Sequence, residues 1–172
     1  NDTASTIAPK IIDPPNRYLD GRKTGLLLHS DDLNIAHLTH HSDCIASAAY
    51  RPVDAGTMLV SSPKLLEFNN AALDAATKQW KPNLLNCCDV TAPEGILSWA
   101  LENKLEQIVT SYAAVGNTSQ MFEKCKHLLS NQGVQFTKVM REYDIVSWPY
   151  ATKGFFKFRE KIPKILTSLS II

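Results

Sequence analysis

Alternating strand-like and helix-like segments predict an α/β fold, a three-layer sandwich with a roughly five-stranded parallel sheet. Three observations carry this. Residues 106–166 read as a strand, a glycine-marked turn, an amphipathic helix, a second strand and an aromatic, basic closing segment. Leu26-Leu-Leu-His29 is a short apolar run flanked by Gly25 and Asp31, which suits a central strand buried on both faces. Ser62 followed by Pro63 has the form of an N-cap and first helical residue, and Leu65, Leu66, Asn69, Ala72, Leu73, Ala76 and Trp80 lie along one face of the helix that follows. Helices that cross over between neighbouring strands make a parallel sheet.

Taken in order, residues 1–23 are polar, carry Pro9, Pro14 and Pro15, and are expected to form a linker or extended arm; residues 24–172 are expected to form a single domain. After the first strand, Ser30-Asp31-Asp32 is placed to cap a short helix. Cys44–Tyr50 is the second strand, its small residues leaving room for close helix packing. The long helix follows and stops before Pro82. Leu84–Cys88 is the third strand, and Thr91 with Glu94 forms a capping box for a helix whose apolar face holds Ile96, Leu97, Ala100 and Leu101. Gln107–Tyr112 is the fourth strand and runs toward a turn at Gly116. Asn117 and Gln120 form a second capping box, and Met121, Phe122, Cys125, Leu128 and Leu129 recur at helical spacing with Glu123, Lys124 and Lys126 outside the stripe. Asn131 to Gly133 stops that helix, and Val134 to Met140 alternates as the fifth strand. The arrangement is Rossmann-like.

At 172 residues the chain fits one domain, long enough to bury roughly 70% of its unfolded surface without disulfides. Its four cysteines lie in apolar stretches and are read as reduced. A net charge of +1 excludes a global attraction to nucleic acid or anionic membrane, so any such binding must be local. There is no signal-like start and no apolar run approaching the ~20 residues of a membrane span. The expectation is a soluble, cytoplasmic protein. Because the chain begins at Asn1 rather than Met, it is read as a piece of something longer.

Open parallel sheets bind ligands outside the carboxyl ends of their strands. That topology nominates His29, Ser30, Asp31 and Asp32, then Arg51, Cys88 and Asp89, then Ser111 and Tyr112 and the turn through Gly116, Asn117 and Thr118. The backbone N–H groups at Gly116–Ser119 can hold a phosphate or carboxylate, with an ordinary strand-to-helix turn as the competing reading. Neither the three-glycine dinucleotide fingerprint nor a phosphate loop is present. His37, His40 and His41 crowd near Asp31, Asp32, Asp43 and Cys44, but His-x-x-His-His matches no common metalloenzyme signature, and a solvated polar surface is preferred to a metal site. No serine occupies a nucleophile elbow, and no catalytic residue is assigned.

The closing segment 148–166 interleaves Trp148, Tyr150, Phe155, Phe156 and Phe158 with Lys153, Lys157, Arg159, Lys161 and Lys164, a pattern that can grip single-stranded nucleic acid. The preferred reading is core packing, since Phe155, Phe158, Ile162 and Ile165 share one helical face. Pro163 is expected to end or kink that helix.

Several of these segments resemble the α/β domain of the DNA photolyase and cryptochrome family. Leu26-Leu-Leu-His-Ser-Asp-Asp-Leu33 resembles the family's opening strand and its Arg-Asp-Leu-Arg turn, with Asp32 and Leu33 matching and Asp31 and Asn34 standing where arginines are usual. Ile108-Val-Thr-Ser-Tyr-Ala-Ala-Val-Gly116, the helix after it and the strand at Val134 resemble the domain's later βαβ unit. The run Trp148-Pro-Tyr-Ala-Thr-Lys-Gly-Phe-Phe-Lys-Phe-Arg159 is similar to the end of bacterial photolyase-related proteins in which the α/β region follows a helical FAD-binding domain. The resemblance implies a non-catalytic module that docks on such a helical domain, with FAD and any DNA contact belonging to that domain and an antenna chromophore carried here in some relatives. A free-standing nucleotide- or phosphate-binding protein or enzyme, and a ligand-free interaction domain, remain as alternatives from the residues alone.

Overall fold

The computed structural model describes residues 20–39, 44–53, 62–152 and 154–171. Most of the expected arm, together with His40, His41, Asp43 and Lys153, lies outside the described residues. The chain divides into two compact units. The described residues of the larger run from Asp20 to Val139, and those of the smaller from Met140 to Ile171.

The larger unit is the α/β sandwich. Its strands are β1 (Thr24–Leu28), β2 (Cys44–Tyr50), β3 (Cys88–Val90), β4 (Gln107–Ser111) and β5 (Gln135–Val139). Its helices are α1 (Pro63–Gln79), α2 (Pro93–Glu102) and α3 (Asn117–Ser130). All four strand pairings are parallel, and the order across the sheet is β3-β2-β1-β4-β5. The chain thus builds outward from β1 in one direction and then, from β4, in the other.

Strand alternation sends neighbouring side chains to opposite faces, and the two cores follow from it. Leu27, Ala46, Ala48, Ile108 and Phe136 pack with Ile96, Trp99 and Ala100 of α2 and with Met121, Phe122, Cys125 and Leu129 of α3. On the other face Leu26, Leu28, Ala49 and Val109 pack with Leu73 of α1, with Leu84, and with Ile35 and Leu38 beside a short 3₁₀ turn at Ala36–Leu38. Every residue of β1 and of β4 is buried. Their polar side chains are paired inside the sheet: Thr110 Oγ1 donates to the Leu27 carbonyl at 2.8 Å, and Gln107 Nε2 donates to Thr24 Oγ1 at 3.1 Å.

In the larger unit proline fixes the start of two helices. Ser62 is the N-cap of α1, accepting from Leu65 N at 3.3 Å, with Pro63 as the first helical residue. At α2 the expected Thr91–Glu94 capping box does not form. Pro93 takes the first helical position and holds the preceding Ala92 extended (φ −147°, ψ 162°), so Ala92 becomes the N-cap and Thr91 falls outside the helix. The Asn117–Gln120 box is likewise absent. Gly116 takes the N-cap at φ 157°, ψ −169°, a conformation open to glycine, and the helix begins one residue earlier than expected. The third strand is also displaced. Pro82 lies in a 3₁₀ turn at Lys81–Asn83 and Asn86 adopts a left-handed φ of 48°, so the strand starts only at Cys88.

The smaller unit holds α4 (Glu142–Ser147), a 3₁₀ turn at Trp148–Tyr150, α5 (Phe155–Arg159) and α6 (Ile162–Ser168). The single closing helix expected from the apolar spacing is therefore two. Pro163 sits in the first turn of α6, where its missing N–H costs nothing, so it opens a helix instead of ending one. Of the four residues expected on one buried face, only Ile165 is buried. Phe158 and Ile162 are half-buried, and Phe155 is 65% exposed.

Among the described glycines, Gly25 is the one with no room for a side chain. A β-carbon there would lie 2.5 Å from Trp99 Cη2 and closer still to Leu105. Gly25→Ala is expected to destabilise by about 1–3 kcal/mol through overpacking, read as a lower urea midpoint at unchanged slope. Trp99→Leu in the same chain is expected to recover part of that loss; an unchanged midpoint in the single variant contradicts this packing.

Candidate functional site

Where the chain order reverses, the segments leaving β1 and β4 diverge, and the sheet opens at its carboxyl edge. A cleft of about 480 Å³ lies along that edge within the larger unit. Its walls come from five segments: Ser30–Asp31 after β1, Tyr50 to Val53 at the end of β2, Leu65 to Asn69 in α1, Thr91 to Pro93 before α2, and Gly116 to Lys124 at the start of α3. The volume falls in the range of small-molecule sites.

Local chemistry sets each wall. After β1 the chain reverses at once, Asp32 N donating to the His29 carbonyl at 3.4 Å. Asp32 Oδ1 then accepts from Asn34 N, and Asn34 Oδ1 from Ala36 N, each at 3.1 Å, so two successive side-chain turns lead into the 3₁₀ turn. Asn34 thus shapes backbone here. Trp80 Nε1 donates to the Leu33 carbonyl at 3.0 Å and ties the end of α1 to this loop. At the end of β2, Arg51 bridges α1 and β3, with contacts of 2.6 Å to Asp74 and 2.8 Å to Asp89. Burial works against its charge, but the two carboxylates outweigh it and raise its pKa further.

The residues nominated from topology divide into two groups. Ser30, Asp31, Gly116, Asn117 and Thr118 line the cleft together. His29, Asp32, Ser111 and Tyr112 do not. His29 is fully buried at the β1–β4 seam: its Nε2–H donates to the Ser111 carbonyl at 3.0 Å, and its ring meets the Phe122 ring edge-on at 5.2 Å. Tyr112 lies beside β5, with Lys138 Nζ 5.8 Å from its ring centre. Lys138 also holds Glu123 at 2.8 Å, and that hydrogen bond lowers the carboxyl's pKa. Among the histidines of the cluster, His37 is half-buried with Nε2 3.5 Å from Ser111 Oγ, while His40 and His41 lie outside the described residues. Among the described residues no three metal-ligating side chains converge.

Sequence reasoning missed the contributions of Tyr50, Leu65, Leu66, Asn69 and Lys124. The signal for the α1 residues was present, since Ser62–Pro63 marked a helix start and helix starts gather at the carboxyl edge of such a sheet. Chemically the described residues of the cleft offer backbone N–H groups at helix starts, hydroxyl-bearing side chains at Ser30, Tyr50, Thr91 and Thr118, a cation at Lys124, a carboxylate at Asp31 and apolar walls. That is binding chemistry. Burial pushes the Cys125 thiol up to about 12 and raises Cys87 and Cys88 as well.

The sequence matches no protein-family model and no curated protein. Among the described residues no helix is long and apolar enough to cross a membrane.

Burial lowers the pKa of His29, opposed by its hydrogen bond to Ser111 and by Asp31 and Asp32. The folded state therefore binds a proton less readily than the unfolded chain. Stability is full above the ordinary histidine value of 6.5 and falls as the pH drops below it toward the lowered folded value. In urea titrations across that window, His29→Gln, which keeps a donor for Ser111 but does not titrate, is expected to flatten the pH dependence; a slope equal to that of the parent protein removes His29 as its source.

Proposed function

We propose that this chain is the non-catalytic α/β domain of a photolyase- or cryptochrome-like flavoprotein, acting in light-dependent DNA repair or blue-light sensing. In this reading it docks on a helical FAD-binding domain that the chain itself does not contain, and the strand-end cleft encloses a small chromophore. FAD and the contact with DNA belong to the helical domain. One observation carries the reading: two of the three segments that resemble the family border one cleft in the larger unit. The Ser30–Asp31 turn that follows β1 forms one wall of the cleft, and the start of α3 within the β4–α3–β5 unit forms another.

A second reading, a free-standing phosphate- or nucleotide-binding α/β protein, is favoured by the convergence of the starts of α1, α2 and α3 with Lys124 on the same cleft.

The two readings part at the native gene product. Captured from its source cells with an antibody raised against this chain, the product is expected to be several times heavier than 19.1 kDa and to carry flavin absorbance. A colourless product of about that mass overturns the photolyase-like reading and leaves the phosphate-binding one.

A further inference from the structure

The smaller unit displays Phe155, which its sequence pattern was expected to bury, and Phe156 beside it. Phe155 and Phe156 are 65% and 73% exposed, adjacent on α5, with ring centres 5.7 Å apart and planes at 68°. Arg159 lies over the Phe156 ring at 5.8 Å. Phe158, three residues after Phe155, is half-buried. Lys157, Lys161 and Lys164 are exposed on the same short stretch, and the only acid among residues 154–171 is Glu160, which meets Lys157 at 3.3 Å. Since the whole chain carries a net charge of only +1, this excess of cations is local.

The arrangement of charge and rings decides between partners. Arg159 is four residues from Phe155 and three from Phe156, so it shares their side of the helix. A membrane-surface helix keeps its cations on the face opposite its apolar one, and it needs a longer apolar stripe than the five residues of α5 supply. The buried centre of a protein–protein contact is depleted in lysine, whereas this patch sets its rings among four cations. Rings and cations mixed on one surface are the chemistry of single-stranded nucleic acid: bases stack on the rings and the cations follow the phosphates.

We propose that the exposed face of residues 154–164 is a binding surface for single-stranded nucleic acid, with Phe155 and Phe156 as the stacking platform and Lys157, Arg159, Lys161 and Lys164 as the phosphate contacts. It is independent of whatever the strand-end cleft binds.

Fluorescence anisotropy of a fluorescein-labelled thymidylate dodecamer, titrated with the full chain over a salt series, tests this. Saturable binding is expected, with a log–log salt slope of about −2 to −3 for three to four neutralised phosphates. The variant Phe155→Ala/Phe156→Ala is expected to bind about tenfold more weakly or worse at an unchanged slope. Arg159→Gln/Lys161→Gln/Lys164→Gln is expected to weaken binding and flatten the slope. All the substituted side chains are exposed, and circular dichroism confirms that each variant is folded. Absence of binding at low salt overturns the proposal, as does wild-type affinity in the double phenylalanine variant. Co-sedimentation with phosphatidylserine vesicles, lost in that variant, while the oligonucleotide stays unbound, reassigns the surface to membrane.

Discussion

The larger unit depends on the two-sided burial of β1. Its five residues have no solvent face: Leu26 and Leu28 feed one core and Leu27 the other, while β2 and β4 saturate its backbone on either side. A strand buried on both faces requires helices on both, and the chain supplies them by crossing over in one direction from β1 and then returning to start again at β4. Gly25 shows how little slack there is. The absence of a side chain at that one position lets Trp99 of α2 lie against the strand backbone.

The same constraint produces the cleft. Once β1 and β4 are neighbours whose outgoing segments run to opposite sides of the sheet, the carboxyl edge cannot close over itself. His29 then belongs to the seam: it joins β1 to β4 by donating to the Ser111 carbonyl and fills the space beneath with its ring against Phe122. The cleft is lined by what lies just beyond it, the Ser30–Asp31 turn and the start of α3 at Gly116. Arg51 makes the far wall firm by holding α1 and β3 to the end of β2.

Most of this was legible in the residues, because parallel strands and their helices are written in short periodicities. Cys44–Tyr50 occupies the strand its residues predict, and Gly133, at φ 73°, closes α3 where a left-handed residue was expected. Signals failed where two local rules competed. At Thr91–Glu94 a capping box met a proline two residues on, and the proline prevailed because it restricts the backbone before it. Leu84 to Cys88 carried strand-like residues, and the Leu85 carbonyl does accept from Ser47 N, yet the turns at Pro82 and Asn86 delay the strand itself to Cys88. Periodicity also says which side chains share a face but not whether anything covers it, so Phe155 was assigned to a core and stands in solvent. For the site, topology found the turns after β1 and β4 but could not separate His29, which closes the seam, from Ser30, which borders the opening. That distinction rests on one residue of strand register, which puts His29 in the interior and Ser30 beyond it.

The central functional claim is that the strand-end cleft of the larger unit encloses a small chromophore. The most direct measurement is of what the protein releases: heat-denature natively purified material and identify the liberated small molecules by absorbance and mass spectrometry, beside a Thr118→Trp variant whose indole fills the cleft. A coloured compound released in proportion to the parent protein and missing from the folded variant is the result this account predicts. No coloured compound from the parent protein, or equal amounts from both, contradicts it.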